Sequence, residues 1–339
     1  MQDMAAVNDQ SLTLEGRTAW IFSDGKAGHE AQCFGVVEAL GLRAEVKRSR
    51  LSGLYKLMAP WGPLPSSEVP GPPWPTIAFA TGRTTIPYIR ALRKRAGLKT
   101  YTVILMDPKT GPNSADLIWV PQHDRRRGSN VITTLTSPHR FSEARLEELR
   151  AQPPEEIAAL PHPRIACLIG GPNGDYNYTA ADEERLVASL GRLAATGAGM
   201  MITTSRRTPA TLADRLQQAV AGTRSLFWNG EGANPYPDYL ASADAFVITA
   251  DSVSMTCEAA ATGRPIFLFS PSGGSAKFDR FHAALASYGA TRLLPADGGP
   301  LPTWSYKPLH SAEEIAFEIR KRWVKRAQML PGLVLGGDR

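Results

Sequence analysis

Residues 243–269, ADAFVITADSVSMTCEAAATGRPIFLF, read as strand, polar turn, helix and strand, with a carboxylate carried inside the helix. Phe246, Val247 and Ile248 make a short apolar strand. It ends in Thr249, Asp251, Ser252 and Ser254, and small helix-forming residues follow. With Asp251 or Ser252 as the cap, the next backbone N–H groups, through Met255, point out of the helix N-terminus, and the macrodipole adds a potential favourable to phosphate. Glu258 follows in the second turn, where its carboxylate can accept hydrogen bonds from paired sugar hydroxyls. The same pattern also describes an ordinary βαβ crossover with a surface Glu.

Outside this stretch, strands and helices alternate twice. Strands are expected at 19–22, 44–46, 77–79, 103–106 and 117–120, with Cys33, Val36, Val37 and Leu40 on one helical face. A second series begins near Ile165, Met200, Leu226, Phe246 and Ile266, with a helix over 180–195 capped by Thr179 and buried through Leu186, Val187, Leu190 and Leu193. Residues 151–164, AQPPEEIAALPHPR, carry four prolines and read as a connection. A length of 339 residues also exceeds what one core usually serves. The expectation is α/β: a Rossmann-like domain over 1–155 and a second over 156–339, facing each other across a cleft. A last helix near 312–329 is expected to cross back to the first domain.

Hydrophobic content of 43% and charged content of 21% are those of a soluble globular protein. Net charge +6 and a pI near 9.3 suit an anionic partner, and charge alone does not choose between a nucleotide, an acidic membrane surface and nucleic acid; with the loops described below, no nucleic acid is expected. The opening MQDMAAVNDQ lacks the basic and apolar regions of a signal peptide, and no stretch reaches the roughly 18 apolar residues of a membrane span, so a cytoplasmic protein, peripheral at most on the inner membrane, is expected. Three cysteines share no metal-ligand spacing, so neither a disulfide framework, a metal nor a cofactor is indicated. Residues 51–75, rich in Pro, Gly, Trp and Leu, read as too irregular for a regular element. Lys47, Arg48, Arg50, Tyr55, Lys56, Met58 and Trp61 in and before them form a mixture able to rest on an anionic bilayer, although irregular packing over a sheet end is the better single explanation of a Pro-rich loop.

Further loops lie past the carboxyl ends of strands, where ligands gather in open α/β sheets. In SDGKAGHEAQ, Asp24, Gly25, Lys26 and Gly28 form a tight charged turn, and His29 at the helix start offers a titratable imidazole as base. In IGGPNGDY, Gly170, Gly171 and Gly174 can form a backbone nest for a diphosphate, without the Lys-Ser/Thr pair of a Walker loop. In TTSRRTP, Ser205, Arg206 and Arg207 place guanidiniums where phosphate oxygens can be held bidentately. Gly82, Arg83 and Thr84 form a similar turn in the first half, and His123 and Asp124 sit beside three arginines. Each loop can also be a solvated turn. Together they imply a phosphorylated ligand, neutralised by Arg and helix N-termini rather than by a divalent ion.

Eight strings, 23–29, 82–85, 121–124, 130–133, 169–171, 203–209, 234–236 and 249–265, resemble the mitochondrial-fission "elongated mitochondria" family, with Ser23 where Thr is usual. The family in turn is similar to GT-B glycosyltransferases. The resemblance implies a nucleoside-diphosphate sugar as partner, Glu258 on the nucleotide ribose, Gly170, Gly171 and Gly174 as the second domain's loop, and Gly25, Gly28 and His29 as the first domain's. The resemblance does not itself supply a reaction; the expected one is GT-B-like sugar transfer in the cell envelope or to a lipid-linked acceptor, with a nucleotide-sugar epimerase or a non-catalytic membrane-surface adaptor as alternatives. Oligomeric state is not implied.

Overall fold

The computed structural model describes residues 13–296 and 299–329. The N-terminal decapeptide read for targeting signals lies outside the described residues. The chain divides into two compact units, residues up to Ser142 with those from His310 onward, and Glu143–Leu309.

Unit 1 runs through β1 (Thr18–Ser23), α1 (Ala27–Ala39), β2 (Arg43–Arg48), α2 (Gly53–Met58), β3 (Ile77–Ala80), α3 (Ile86–Ala96), β4 (Tyr101–Leu105), β5 (Leu117–Pro121) and β6 (Val131–Thr134). The strands form one parallel sheet in the order β2-β1-β3-β4-β5-β6. IAFA and YTVIL, the sequences of β3 and β4, are buried at every position and apolar but for Thr102, as strands covered on both faces are. RAEVKR, in β2, is the exposed edge, where charge discourages further strand pairing. All five expected strands form, and half-buried β6 adds a sixth. One expectation is corrected: the irregular stretch 51–75 contains α2, too short to be legible as a helix from its own residues.

Unit 2 runs through α4 (Glu143–Ala151), α5 (Glu155–Ala158), β7 (Arg164–Ile169), α6 (Ala180–Ala195), β8 (Gly199–Thr204), α7 (Ala210–Ala219), β9 (Ser225–Trp228), α8 (Tyr236–Ser242), β10 (Ala245–Thr249), α9 (Val253–Ala260), β11 (Ile266–Phe269), α10 (Ala276–Tyr288) and β12 (Thr291–Leu293). Its parallel sheet has the order β12-β11-β10-β7-β8-β9. The expected helix at 180–195 starts on a reciprocal cap: the Thr179 hydroxyl accepts the Asp182 N–H, and the Asp182 carboxylate accepts the Thr179 N–H. Its buried stripe is Leu186, Ser189, Leu190 and Leu193, with Val187 at the margin. The three cysteines are buried, and none of them forms a disulfide. The architecture is therefore α/β, with two Rossmann-like units.

In each sheet the chain begins on an inner strand, builds outward in one direction and then reverses. The reversal falls between β1 and β3 in unit 1 and between β7 and β10 in unit 2. At such a point neighbouring crossovers leave on opposite faces, so the loops at the strands' carboxyl ends part and leave a crevice.

The last helix, α11 (Ser311–Met329), completes the core of unit 1. Ala312, Ile315, Ala316, Ile319 and Trp323 recur on one face and bury against β1, α1 and β5 residues, including Ala19, Val36 and Trp119. Removing buried atoms from this stripe forfeits their transfer free energy and leaves a cavity. Ile319→Ala should cost about 2–5 kcal/mol in urea unfolding. Exposed Phe317 on the same helix should be replaceable by Ser within about 0.5 kcal/mol, and equal losses at the two positions would contradict this packing.

Candidate functional site

In unit 2 the reversal crevice is organised by one carboxylate. Asp251 follows β10, and its side chain is fully buried. Its Oδ2 accepts the Gly171 N–H (3.1 Å) and an Arg207 guanidinium N–H (2.8 Å), while Oδ1 accepts the Tyr178 hydroxyl (2.6 Å). Asn173 donates to the Asp251 carbonyl. The loops after β7, β8 and β10 are thereby tied to one residue, and buried charge is matched by a cation and neutral donors.

Gly170 makes this possible because a Cβ there would stand 2.2 Å from the Asp251 carboxylate. At Gly171 it would stand 2.2 Å from the Arg207 carbonyl. The Gly170 N–H is spent on the Thr249 hydroxyl (2.7 Å) and that of Gly171 on Asp251, so neither faces outward as a nest donor. Gly174 has open space around it. Ser205 and Thr208 close the β8 loop through mutual side-chain and backbone hydrogen bonds, and the side chain of adjacent Arg206 is exposed with no hydrogen bond or ion pair among the described residues. The two expected phosphate arginines therefore differ: Arg207 is a structural tie and Arg206 is available.

Ser252, rather than Asp251, caps α9, accepting the Met255 N–H at 3.4 Å. The N–H groups of Val253 and Ser254 lead the helix, and Ser254 is exposed. Glu258 lies half-buried in the second turn, and its carboxylate accepts the Tyr236 hydroxyl from the start of α8. Burial pushes the Glu258 carboxyl up to about 7, and the Tyr236 hydrogen bond opposes that rise. His282, on α10, donates from Nε2 to the Ala250 carbonyl (2.8 Å), and burial lowers its proton affinity, consistent with a neutral ring. Sequence reasoning missed Tyr178, Tyr236 and His282 as members of this region. Only Tyr236 carried a signal, inside the 234–236 string.

In unit 1 the reversal crevice holds Asp24, His29 and Gly82. The Asp24 carboxylate receives His29 Nδ1 at 3.0 and 3.1 Å and the Lys26 N–H at 3.2 Å. Since an ionised carboxylate only accepts, Nδ1 carries the proton, and Nε2 is left as an acceptor with no partner among the described residues. A Cβ on Gly82 (φ 95°) would stand 2.4 Å from Asp24 Oδ2 and 3.0 Å from His29 Nδ1, so the β3 loop closes on the pair only without a side chain. Gly25 (φ 83°) donates its N–H to the Ser23 hydroxyl, and Gly28 has open space around it.

Of the other expected residues, Arg83 and Thr84 are engaged elsewhere. Arg83 donates to the carbonyls of Lys56, Leu57 and Ala59, so its guanidinium serves the end of α2. Thr84 offers its carbonyl to Ser49. His123 is buried after β5, and the Asp124 carbonyl accepts from Arg127.

If Asp251 is the tie that these contacts describe, Asp251→Asn should cost about 1.5–3 kcal/mol, the range for hydrogen bonds to a charged group. Arg206→Ala should leave stability within about 0.5 kcal/mol. A thermal or urea comparison checks both, and a neutral Asp251→Asn would contradict the assignment.

Comparison with known proteins agrees with the two-unit fold. The UDP-GlcNAc 2-epimerase of Methanocaldococcus jannaschii superposes with a TM-score of 0.53 at 10% identity, over 90% of this chain and 99% of that one. The fold is thus GT-B-like. A mitochondrial fission protein, ELM1, of Arabidopsis thaliana is 29% identical over 280 residues, covering 76% of this chain and 66% of the plant protein. An uncharacterised Rickettsia prowazekii protein is 30% identical over 160 residues, covering 46% of this chain and 45% of its own length. The chain thus spans less than two thirds of either relative. The family model described as mitochondrial fission ELM1 matches residues 27–323, from the start of α1 to the helix that completes the core of unit 1, and the chain belongs to that family.

Proposed function

We propose that unit 2 binds a nucleoside-diphosphate sugar and that the protein transfers its sugar to an acceptor, lipid-linked or of the cell envelope, presented at an anionic membrane surface on the cytoplasmic side. The observation that carries the reading is the placement of Glu258 on the helix whose free N-terminus opens at the β7/β10 reversal. A diphosphate fits the N–H groups of Val253 and Ser254 with Arg206 beside them, and the ribose hydroxyls fit Glu258 one turn farther along. Gly174 leaves room for the ligand on the β7 side.

His29 is the base in this scheme. Its Nε2 takes the proton of the acceptor hydroxyl as that oxygen bonds to the anomeric carbon. The bond from that carbon to the diphosphate breaks, its electron pair leaving on the phosphate oxygen, where α9 and Arg206 stabilise the charge. Asp24 holds the ring in the tautomer that leaves Nε2 free. His29→Ala should lower turnover by about 10²–10⁴-fold with nucleotide affinity nearly intact, since the nucleotide is held by unit 2. Wild-type turnover in that variant would remove His29 from the chemistry.

Glu258 gives the reading a pH signature. Its folded-state value near 7 stands above the usual carboxylate range, so the folded chain holds the proton more tightly than the unfolded one. The stability it contributes is full below about 4.5 and is lost as pH rises through about 7. Ribose binding needs the ionised acceptor, so nucleoside-diphosphate affinity should rise over the window in which stability falls. Glu258→Gln should flatten both dependences and weaken binding by about 1–3 kcal/mol at pH 8. Calorimetry with a panel of nucleoside diphosphates from pH 5.5 to 8 checks this; unchanged affinity in the variant would free Glu258 of the role.

A second reading, a membrane-surface adaptor without catalysis, is favoured by one observation: the Gly170 and Gly171 N–H groups are consumed within the protein instead of facing a ligand. No nucleotide binding and no transfer or hydrolysis across a broad donor panel would select it. Epimerisation without an acceptor would select the remaining alternative on this fold.

A further inference from the structure

On α2 the apolar pattern is inverted. Leu54, Leu57 and Trp61 follow one another at i, i+3 and i+7, and they are 65%, 74% and 63% exposed. Leu51 and Ala59, beside them in the chain, are buried in the unit 1 core. The exposed stripe is held in place by two arginines. Arg83 donates to the Lys56, Leu57 and Ala59 carbonyls, and Arg90 donates to those of Pro60 (3.0 Å) and Trp61 (2.9 Å). Gly62 lets the chain turn back, since a Cβ there would stand 2.6 Å from that of Met58. Five hydrogen bonds from guanidiniums fix a tip that hides none of its large apolar side chains, which is the reverse of what burial alone would select.

Charge surrounds this tip. Trp61 and Lys94 line one cleft of 520 Å³ together with Arg90, Arg93 and residues 110–114. Arg93 is engaged by Asp116, whereas the side chains of Lys56 and Lys94 have no hydrogen bond or ion pair among the described residues. Over its sequence, unit 1 carries 24 Lys and Arg against 15 Asp and Glu, net +9, whereas unit 2 carries 14 against 17, net −3. The basic character of the whole chain therefore belongs to the unit that bears the exposed stripe.

We propose that α2 and Trp61 form a membrane-docking tip that inserts into the interface of a bilayer containing anionic phospholipid, with Lys56 and Lys94 meeting the phosphates. Leucines at the acyl boundary, an indole at headgroup depth and unpaired cations beside them match that interface layer by layer. A second copy of the chain docked on the same tip would set these cations against their own kind, which disfavours self-association. Lys47 and Arg48, basic residues just upstream in sequence, take no part. They lie on β2, where Lys47 is paired with Glu45 and lies over the Trp20 ring and Arg48 is paired with Glu30. The tip does not depend on the nucleotide reading, and its test is separate from catalysis.

The full chain is sedimented with vesicles of phosphatidylcholine alone or with about 30% phosphatidylserine. Binding is expected only with the anionic lipid and is expected to be lost at about 0.5 M salt, where screening shortens the reach of the cations to a few ångströms. Leu57→Ser and Trp61→Ser should each weaken it by about tenfold or more, and Lys94→Glu by at least about fivefold. Phe317→Ser, which removes an equally exposed ring elsewhere on unit 1, should leave it unchanged. Circular dichroism of each variant verifies that an exposed substitution has left the fold intact. Equal binding to neutral vesicles, wild-type binding by the Leu57 and Trp61 variants, an equal loss in the Phe317 variant, or a lipid-free dimer abolished by Leu57→Ser would each overturn the proposal.

Discussion

The buried Asp251 carboxylate is the constraint on which the candidate site of unit 2 depends. It cannot sit at the end of β10 unpaired, because an ionised group out of water costs far more than one hydrogen bond returns. Gly171, Tyr178 and Arg207 meet that demand from the loops after β7 and β8, and each is thereby fixed in place. Once those loops are fixed, Ser252 begins α9 in a defined direction, Arg206 is turned outward, and Glu258 falls one turn inside the helix. The geometry of the loops at this end of the sheet is thus inherited from a residue with no side-chain exposure of its own.

Unit 1 repeats the device with other residues. At both sheet reversals an aspartate is approached by a glycine from the neighbouring strand's loop, so closely that any side chain would collide: Gly82 on Asp24, Gly170 on Asp251. The difference lies in what the carboxylate then holds. Asp24 orients an imidazole whose second nitrogen remains free, a reactive arrangement, whereas Asp251 is saturated by a guanidinium, a phenol and an amide, a rigid one.

Much of the fold was legible because it follows from local pattern. The 180–195 helix shows itself through Thr179 and Asp182 at capping distance and leucines at helical spacing, and the inner strands show as largely apolar runs. What was missed lacks those signals. β12 is three residues at a sheet edge with an exposed arginine, β6 is half-buried, and α2 stands only because Arg83, 25 residues beyond Met58, caps its carbonyls. At the site, the residue types and strand-end positions were legible and the pairings were not. Tyr236 meets Glu258 across 22 residues and Tyr178 meets Asp251 across 73, distances over which sequence carries no spacing rule. The glycines show the limit most clearly: Gly170 reads as an open nest, and the structure uses its missing Cβ to admit a carboxylate.

The most direct test of the central claim is a structure of the protein with a nucleoside diphosphate, obtained by soaking a panel of bases at saturating concentration. The account predicts a diphosphate on the N–H groups of Val253 and Ser254, within hydrogen-bond reach of Arg206, and ribose hydroxyls on Glu258 with Tyr236 displaced or shared. A diphosphate bound elsewhere on unit 2, with the α9 N-terminus and Glu258 untouched, would contradict it.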